Sequence, residues 1–147
     1  MKELNPQSLS GISEKAVIAN KNYSNLEMKT ILLIEDDVIV LEMLQEVLVQ
    51  SGYCVLIAKN AFDALENFNS SNKNIACVVL DYGIPGMHPA RLLEKIQEKS
   101  PGTQYVVSSG YSSNFVAEDF PLDNNIAFLA KPYDPSRLVE EIDNLLK

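Results

Sequence analysis

Five polar residues stand where apolar runs end, and their types together define a chemistry. Glu35 and Asp36 follow the run TILLI, Asp81 follows IACVVL, Ser109 follows QYVVS and Lys131 follows IAFLA. Three carboxylates against one lysine leave a negative formal charge, and like charges a few ångströms apart repel, so such a cluster calls for a cation. Hard oxygen ligands at an open edge suit Mg²⁺, which keeps several waters and takes one or two carboxylates plus a phosphate oxygen. A carboxylate, a cation site, a hydroxyl and a lysine around one cavity are the parts of phosphoryl transfer. The cation and lysine neutralise equatorial oxygens, while a carboxylate can serve as nucleophile.

That chemistry requires a fold that gathers these run ends. Residues 30–34, 53–58, 75–80, 104–108 and 126–130 are short, nearly continuous apolar runs, as in strands buried on both faces. Between them apolar residues take helical spacing. Val40, Leu41, Leu44, Val47 and Leu48 precede a stop at Gly52; Ala61, Leu65 and Phe68 form a second stripe; Leu92, Leu93 and Ile96 form a third, stopped at Ser100-Pro101-Gly102. A weak helix over residues 112–119 is cut short by Pro121. Pro135 opens the last helix, with Leu138, Val139, Ile142 and Leu145 on one side. Five strands alternating with five helices predict an α/β domain, a flavodoxin-like (βα)5 doubly wound parallel sheet in strand order 2-1-3-4-5. In a parallel sheet all five polar groups then share one edge, beside the crevice where such folds bind ligands. Only the second strand contributes nothing to it.

Composition narrows the partners. The chain has 147 residues, suited to one domain, and a formal net charge of -8, which argues against nucleic acid or an anionic membrane as the main partner. No apolar run approaches the roughly 20 residues of a membrane span, and the N-terminus lacks the apolar core of a signal peptide, so a cytoplasmic protein is expected. Cys54 and Cys77 each lie in an apolar run and read as buried thiols. Residues 1–28 are polar and aperiodic, a flexible extension or linker with at most a short helical turn around residues 13–19; the ordered domain spans 29–147.

The stretches ILLIEDD, VVLDYGIPGM, VVSSGY and FLAKPY, in this order, make the chain resemble the receiver domain of two-component response regulators over residues 29–147. The resemblance implies a signalling phosphoacceptor, not a turnover enzyme. Asp81 would accept the phosphoryl group as an acyl phosphate. Mg²⁺ would be held by Asp36 and Asp81, by Glu35 through water, and by the backbone carbonyl of Gly83. Lys131 would pair with Asp81 and then with the phosphoryl group, Ser109 would donate its hydroxyl to it as the switch residue, and Phe128 would be the aromatic that changes rotamer with the loop. Pro132 would follow a cis bond. Gly83 and Tyr111 occupy the positions that tune hydrolysis of the acyl phosphate; Gly83 offers no group to orient water, so self-dephosphorylation should be slow. The implied partners are a histidine kinase or histidine phosphotransfer protein and a downstream protein target, reached through the face of the fourth helix, fifth strand and fifth helix. The weak fourth helix should be the most mobile.

Other readings stand beside these. Glu35 and Asp36 also suit a helix N-terminus, and Asp37 reads as a helix cap. Ser108 should point away from Ser109 by strand alternation. Tyr82 and Tyr111 should flank the pocket entrance, and His88 reads as a loop histidine without a partner. A dehalogenase-like phosphatase would want a second Asp at position 83, which is Gly; a flavin carrier would want a phosphate-cradling loop where Glu35-Asp36-Asp37 stands. A non-phosphorylated pseudo-receiver scaffold would usually lack one of the pocket groups. With no output domain after Lys147, the sequence is expected to act on a protein in trans or to be a receiver cut from a hybrid sensor histidine kinase.

Overall fold

A computed structural model describes residues 28–70, 74–121 and 125–147. The expected N-terminal extension, with its short helical turn, falls on residues 1–28, of which all but Met28 lie outside the described residues. Five strands, β1 (Thr30–Ile34), β2 (Cys54–Ala58), β3 (Ile75–Asp81), β4 (Gln104–Ser109) and β5 (Ile126–Ala130), pair in parallel in the order β2-β1-β3-β4-β5. The helices are α1 (Val38–Gln50), α2 (Ala61–Ser70), α3 (Pro89–Lys99), α4 (Ser113–Ala117) and α5 (Pro135–Leu145). This is the flavodoxin-like architecture expected from the alternation of runs and stripes.

Strand alternation sorts the core into two layers. Ile31, Leu33, Cys77, Val79, Val106 and Leu129 pack with Leu41, Leu44 and Leu48 of α1 and Leu138 and Ile142 of α5. Leu32, Ile34, Val78, Leu80 and Val107 point the other way, toward Ala61 and Ala64 of α2, Leu92, Leu93 and Ile96 of α3 and Val116 of α4. Both sheet faces are covered, which is why the central strands carry no polar alternation. Each fully buried aliphatic side chain contributes about 1.5–3 kcal/mol to this core. Cys77 is fully buried, and burial pushes its thiol up to about 12, so it stays protonated. Cys54 corrects the expectation of a second buried thiol: it lies on the edge strand β2 and is half-buried.

The helix starts place the polar edge. Asp37 caps α1, its Oδ1 accepting from the amides of Ile39 at 3.0 Å and Val40 at 3.3 Å, in agreement with its reading as a cap. Asp134 caps α5 ahead of Pro135. Gly52, just past α1, has φ 97°, a left-handed conformation that a side chain would disfavour. The weak fourth helix is shorter than expected. Only five residues form α4, with Val116 alone buried, and the chain continues in turns closed by Asp119 N–H to Val116 O and Phe120 N–H to Ala117 O, each at 3.1 Å. No helix among the described residues is long and apolar enough to cross a membrane.

Candidate functional site

The carboxyl ends of β1, β3, β4 and β5 converge on one edge. Asp81 and Ser109 are the last residues of β3 and β4 and not, as the runs suggested, the first residues beyond them. Asp81 stands in register with Ser108, and Ser109 with Ala130, so their backbones are fixed by the ladder. The ladder bonding continues one step further: Glu35 N–H donates to Ala58 O at 3.0 Å, Tyr82 N–H to Ser108 O at 2.8 Å and Lys131 N–H to Ser109 O at 2.7 Å. Every reactive group on this edge therefore sits on a strand or within two residues of its end.

The side chains meet. Lys131 Nζ lies 2.8 Å from Asp81 Oδ1 and 3.4 Å from Glu35 Oε1. Carboxylate oxygens of Glu35, Asp36 and Asp81 all lie within 4.8 Å of one another. Glu35 is buried, Asp81 is largely covered and Asp36 is open to solvent. Burial pushes the Glu35 carboxyl above its ordinary value; the Asp37 N–H bond at 3.1 Å opposes this, Asp81 adds repulsion and Lys131 pulls back down. Burial acts to lower Lys131, but its hydrogen bond and charge attraction to Asp81, with a further contribution from Glu35, prevail and hold the ammonium above its ordinary range.

This donor set fits a hard divalent cation. Two of three carboxylates share one lysine, Asp36 faces solvent, and a residual negative charge is left without compensation. Gly83 is exposed beside the cluster, where a Cβ would stand 3.5 Å from Asp81 Oδ2. The absence of a side chain keeps the approach to Asp81 open.

Around the cluster lies an aromatic rim. Tyr82 packs edge-on against Tyr111 with centroids 6.2 Å apart. Ser109 is buried, and its Oγ accepts from Tyr111 N–H at 2.9 Å. Ser108 faces the opposite layer, where its hydroxyl meets the half-buried Tyr133. Phe128 is half-buried and packs on Phe120 at 5.8 Å. The Lys131–Pro132 bond is cis.

His88 is a solvent-exposed loop histidine, as read from the sequence, and it has a local role as well. Its Nδ1 caps α3 by accepting from Ala90 N–H at 3.1 Å, its Nε2 lies 3.5 Å from Asp119, and its ring meets Tyr82 at 5.6 Å. The residue following it, Pro89, takes the first helical position, and that was the signal available for a cap. Asp119 itself carried no signal, since its partner Tyr82 lies 37 residues away in sequence.

Comparison with known proteins agrees with this geometry. Residues 31–143 match the response regulator receiver domain family. The chain is 29% identical to the sensor kinase CckA of Brucella abortus over 118 residues, 80% of this chain but 12% of that protein. It is 25% identical to the chemotaxis protein CheY of Thermotoga maritima over 120 residues, covering 81% of this chain and 98% of that one. Among solved structures, a CheY-like receiver domain protein from Methanospirillum hungatei superposes with a TM-score of 0.69 at 29% identity, over 82% of this chain and 94% of that one. The receiver domain of the hybrid histidine kinase CckA superposes with a TM-score of 0.69 at 26% identity, over 80% of this chain and 99% of that one.

Proposed function

The chain belongs to the response regulator receiver domain family of two-component signalling, and from that premise we propose that it accepts a phosphoryl group on Asp81 from a phosphohistidine partner, a kinase or a histidine phosphotransfer protein. The observation that carries the reading is the Lys131–Asp81 contact of 2.8 Å inside a cluster of three carboxylates at the carboxyl edge of the sheet. In the transfer, the phosphorus–nitrogen bond breaks, the imidazole keeps the electron pair and takes up a proton, and a bond forms from phosphorus to an Asp81 carboxylate oxygen. Lys131, already against that carboxylate, is placed to follow the charge onto the phosphoryl oxygens. Glu35, Asp36, Asp81 and the Gly83 carbonyl would hold Mg²⁺, which supplies neutralisation of the phosphoryl charge.

The new group would bring about two negative charges and three acceptors to this edge. Ser109, whose hydroxyl accepts from its own loop, keeps a proton to donate to a phosphoryl oxygen, and turning toward that oxygen would draw the loop inward. That motion would reposition α4, β5 and α5, with Phe128 following, and present an altered face to a downstream protein. A second reading, a receiver within a hybrid sensor kinase, is favoured by the match to the Brucella kinase and has the same site chemistry.

The test is intact mass after incubation with Mg²⁺ and acetyl phosphate, on wild type and Asp81→Asn. Gain of one phosphoryl group that requires both Mg²⁺ and Asp81 is expected. A folded wild type that gains nothing from acetyl phosphate or from a histidine-phosphorylated protein would overturn the proposal in favour of a binding scaffold.

A further inference from the structure

One carboxylate ties the segment after α4 to the loop that follows the phosphoacceptor. Asp119 accepts a hydrogen bond from the Tyr82 hydroxyl, and His88 Nε2 lies 3.5 Å away. Because His88 Nδ1 accepts from Ala90 N–H, the neutral ring carries its proton on Nε2, which faces Asp119. The Tyr82 hydroxyl thus bonds an acceptor beyond α4, with the edge of the His88 ring beside the same carboxylate. Tyr82 is also the hub of a ring cluster: it meets Tyr111 at 6.2 Å before α4 and Phe120 at 6.3 Å after it, and Phe120 in turn meets Phe128 at 5.8 Å. Both ends of the α4 segment are therefore fastened to the residue next to Asp81. The helix itself adds little hold, with five residues and one of them buried.

We infer that the Tyr82–Asp119–His88 clasp is a built-in brake that holds the α4 segment in its resting position and slows phosphoryl acceptance. The inference rests on the proposed role of Asp81. In the clasped arrangement the Ser109 hydroxyl is engaged by Tyr111 N–H, and the Tyr111 ring is packed on Tyr82. Drawing Ser109 toward a phosphoryl group pulls on Tyr111 and hence on Tyr82, against the Asp119 bond. An arrangement that must open before the switch residue can engage is a population shift, and removing the contact raises the fraction already open. Asp119 is partly exposed, so the gain is that of a solvent-screened charged hydrogen bond.

The experiment measures the rate of phosphoryl gain from acetyl phosphate with saturating Mg²⁺, by intact mass, for wild type, Tyr82→Phe, Asp119→Ala and the double variant. Tyr82→Phe keeps the ring contacts and removes only the hydroxyl, so it separates the clasp from packing. Each single variant should react about three- to tenfold faster than wild type, and the double no faster than the better single, because one contact is lost in each. Rates within twofold of wild type, or slower, in singly substituted proteins that still melt cooperatively would overturn the brake while leaving Asp81 as acceptor. Absence of phosphoryl gain in the wild type would instead overturn the acceptor reading, and the brake with it.

Discussion

Glu35→Gln should make the metal-free domain more stable near neutral pH and the Mg²⁺-bound domain relatively less so. At 3.4 Å from the Lys131 ammonium and an effective dielectric of about 20, the Glu35 carboxylate gains about 5 kcal/mol of attraction. Asp81, within 4.8 Å, returns about 3.5 kcal/mol of repulsion at the same dielectric. The difference, about 1.5 kcal/mol, faces the removal of a buried carboxylate from water, which amounts to several kcal/mol per ion. Burial wins, as the raised pKa of Glu35 states. Neutral Gln keeps the shape and can still accept from Asp37 N–H, so a net gain of about 1–2 kcal/mol is expected, or roughly 4–8 °C in Tm for a domain of this size. The sign with pH follows. A carboxyl raised in the folded state binds its proton more tightly there than in the unfolded chain. The wild type therefore loses stability as pH climbs from its ordinary value of 4.5 through its raised folded value. The advantage of the variant should open across that window and vanish below it. Adding Mg²⁺ at a hundredfold over its Kd would return about 2.7 kcal/mol to the wild type and less to a site with one carboxylate fewer, so the order should invert. Thermal unfolding followed by circular dichroism at several pH values, with EDTA and then Mg²⁺, reads all of this. A variant less stable than wild type in EDTA at pH 7.5 would refute the claim that burial dominates at this carboxylate.

Other outcomes follow from the same geometry. Lys131→Met should leave Mg²⁺ binding in place, as judged by titration, yet slow phosphoryl gain at least about tenfold, since it removes the only ammonium in contact with Asp81 among the described residues. The acyl phosphate on the wild type should last minutes or longer by intact-mass decay. Gly83→Asn should be tolerated, because its Cβ meets only Asp81 Oδ2 at 3.5 Å, and should shorten that lifetime by adding an amide that can orient water; an unchanged lifetime would count against slow hydrolysis arising at this position. Hydrogen exchange should be fastest, among the five helices, over residues 113–117; strong protection there would contradict the weak packing of α4. His88→Ala should lower stability by about 1 kcal/mol in chemical denaturation through loss of the α3 cap.

The parts legible in the sequence are those that follow from one-dimensional rules. A buried parallel strand must be apolar on both faces, so TILLI, IACVVL and IAFLA announce themselves, and the residues that end them mark the functional edge. Asp37 as cap and Pro135 as first helical residue follow from the orphan amides of a helix start. What stayed hidden depends on meetings distant in sequence. Asp119 looks like any acid near a helix end until Tyr82, 37 residues earlier, is brought to it. Cys54 is half-buried although its run is apolar: the order 2-1-3-4-5 already puts its strand at the sheet edge, and an apolar run does not reveal how far an edge strand is covered.

The site is divided into a stiff half and a compliant half, and the division is written in burial. Glu35 directly follows β1 and Asp81 ends β3, interior strands whose apolar side chains are almost wholly covered, so the carboxylates cannot retreat from a new charge. Ser109 ends β4, which is as buried as β1 and β3, but its loop and Lys131, after the edge strand β5, lie toward the side of the sheet where α4 has one buried side chain and where Tyr111 and Phe115 are exposed with rings 5.3 Å apart. Close-packed cores resist continuous deformation, so a charge placed on Asp81 would be accommodated where packing is shallow. By that argument α4 moves and β3 does not, and the residues that resist the motion are those fastening α4 from outside the core, Tyr82 and Asp119 first among them.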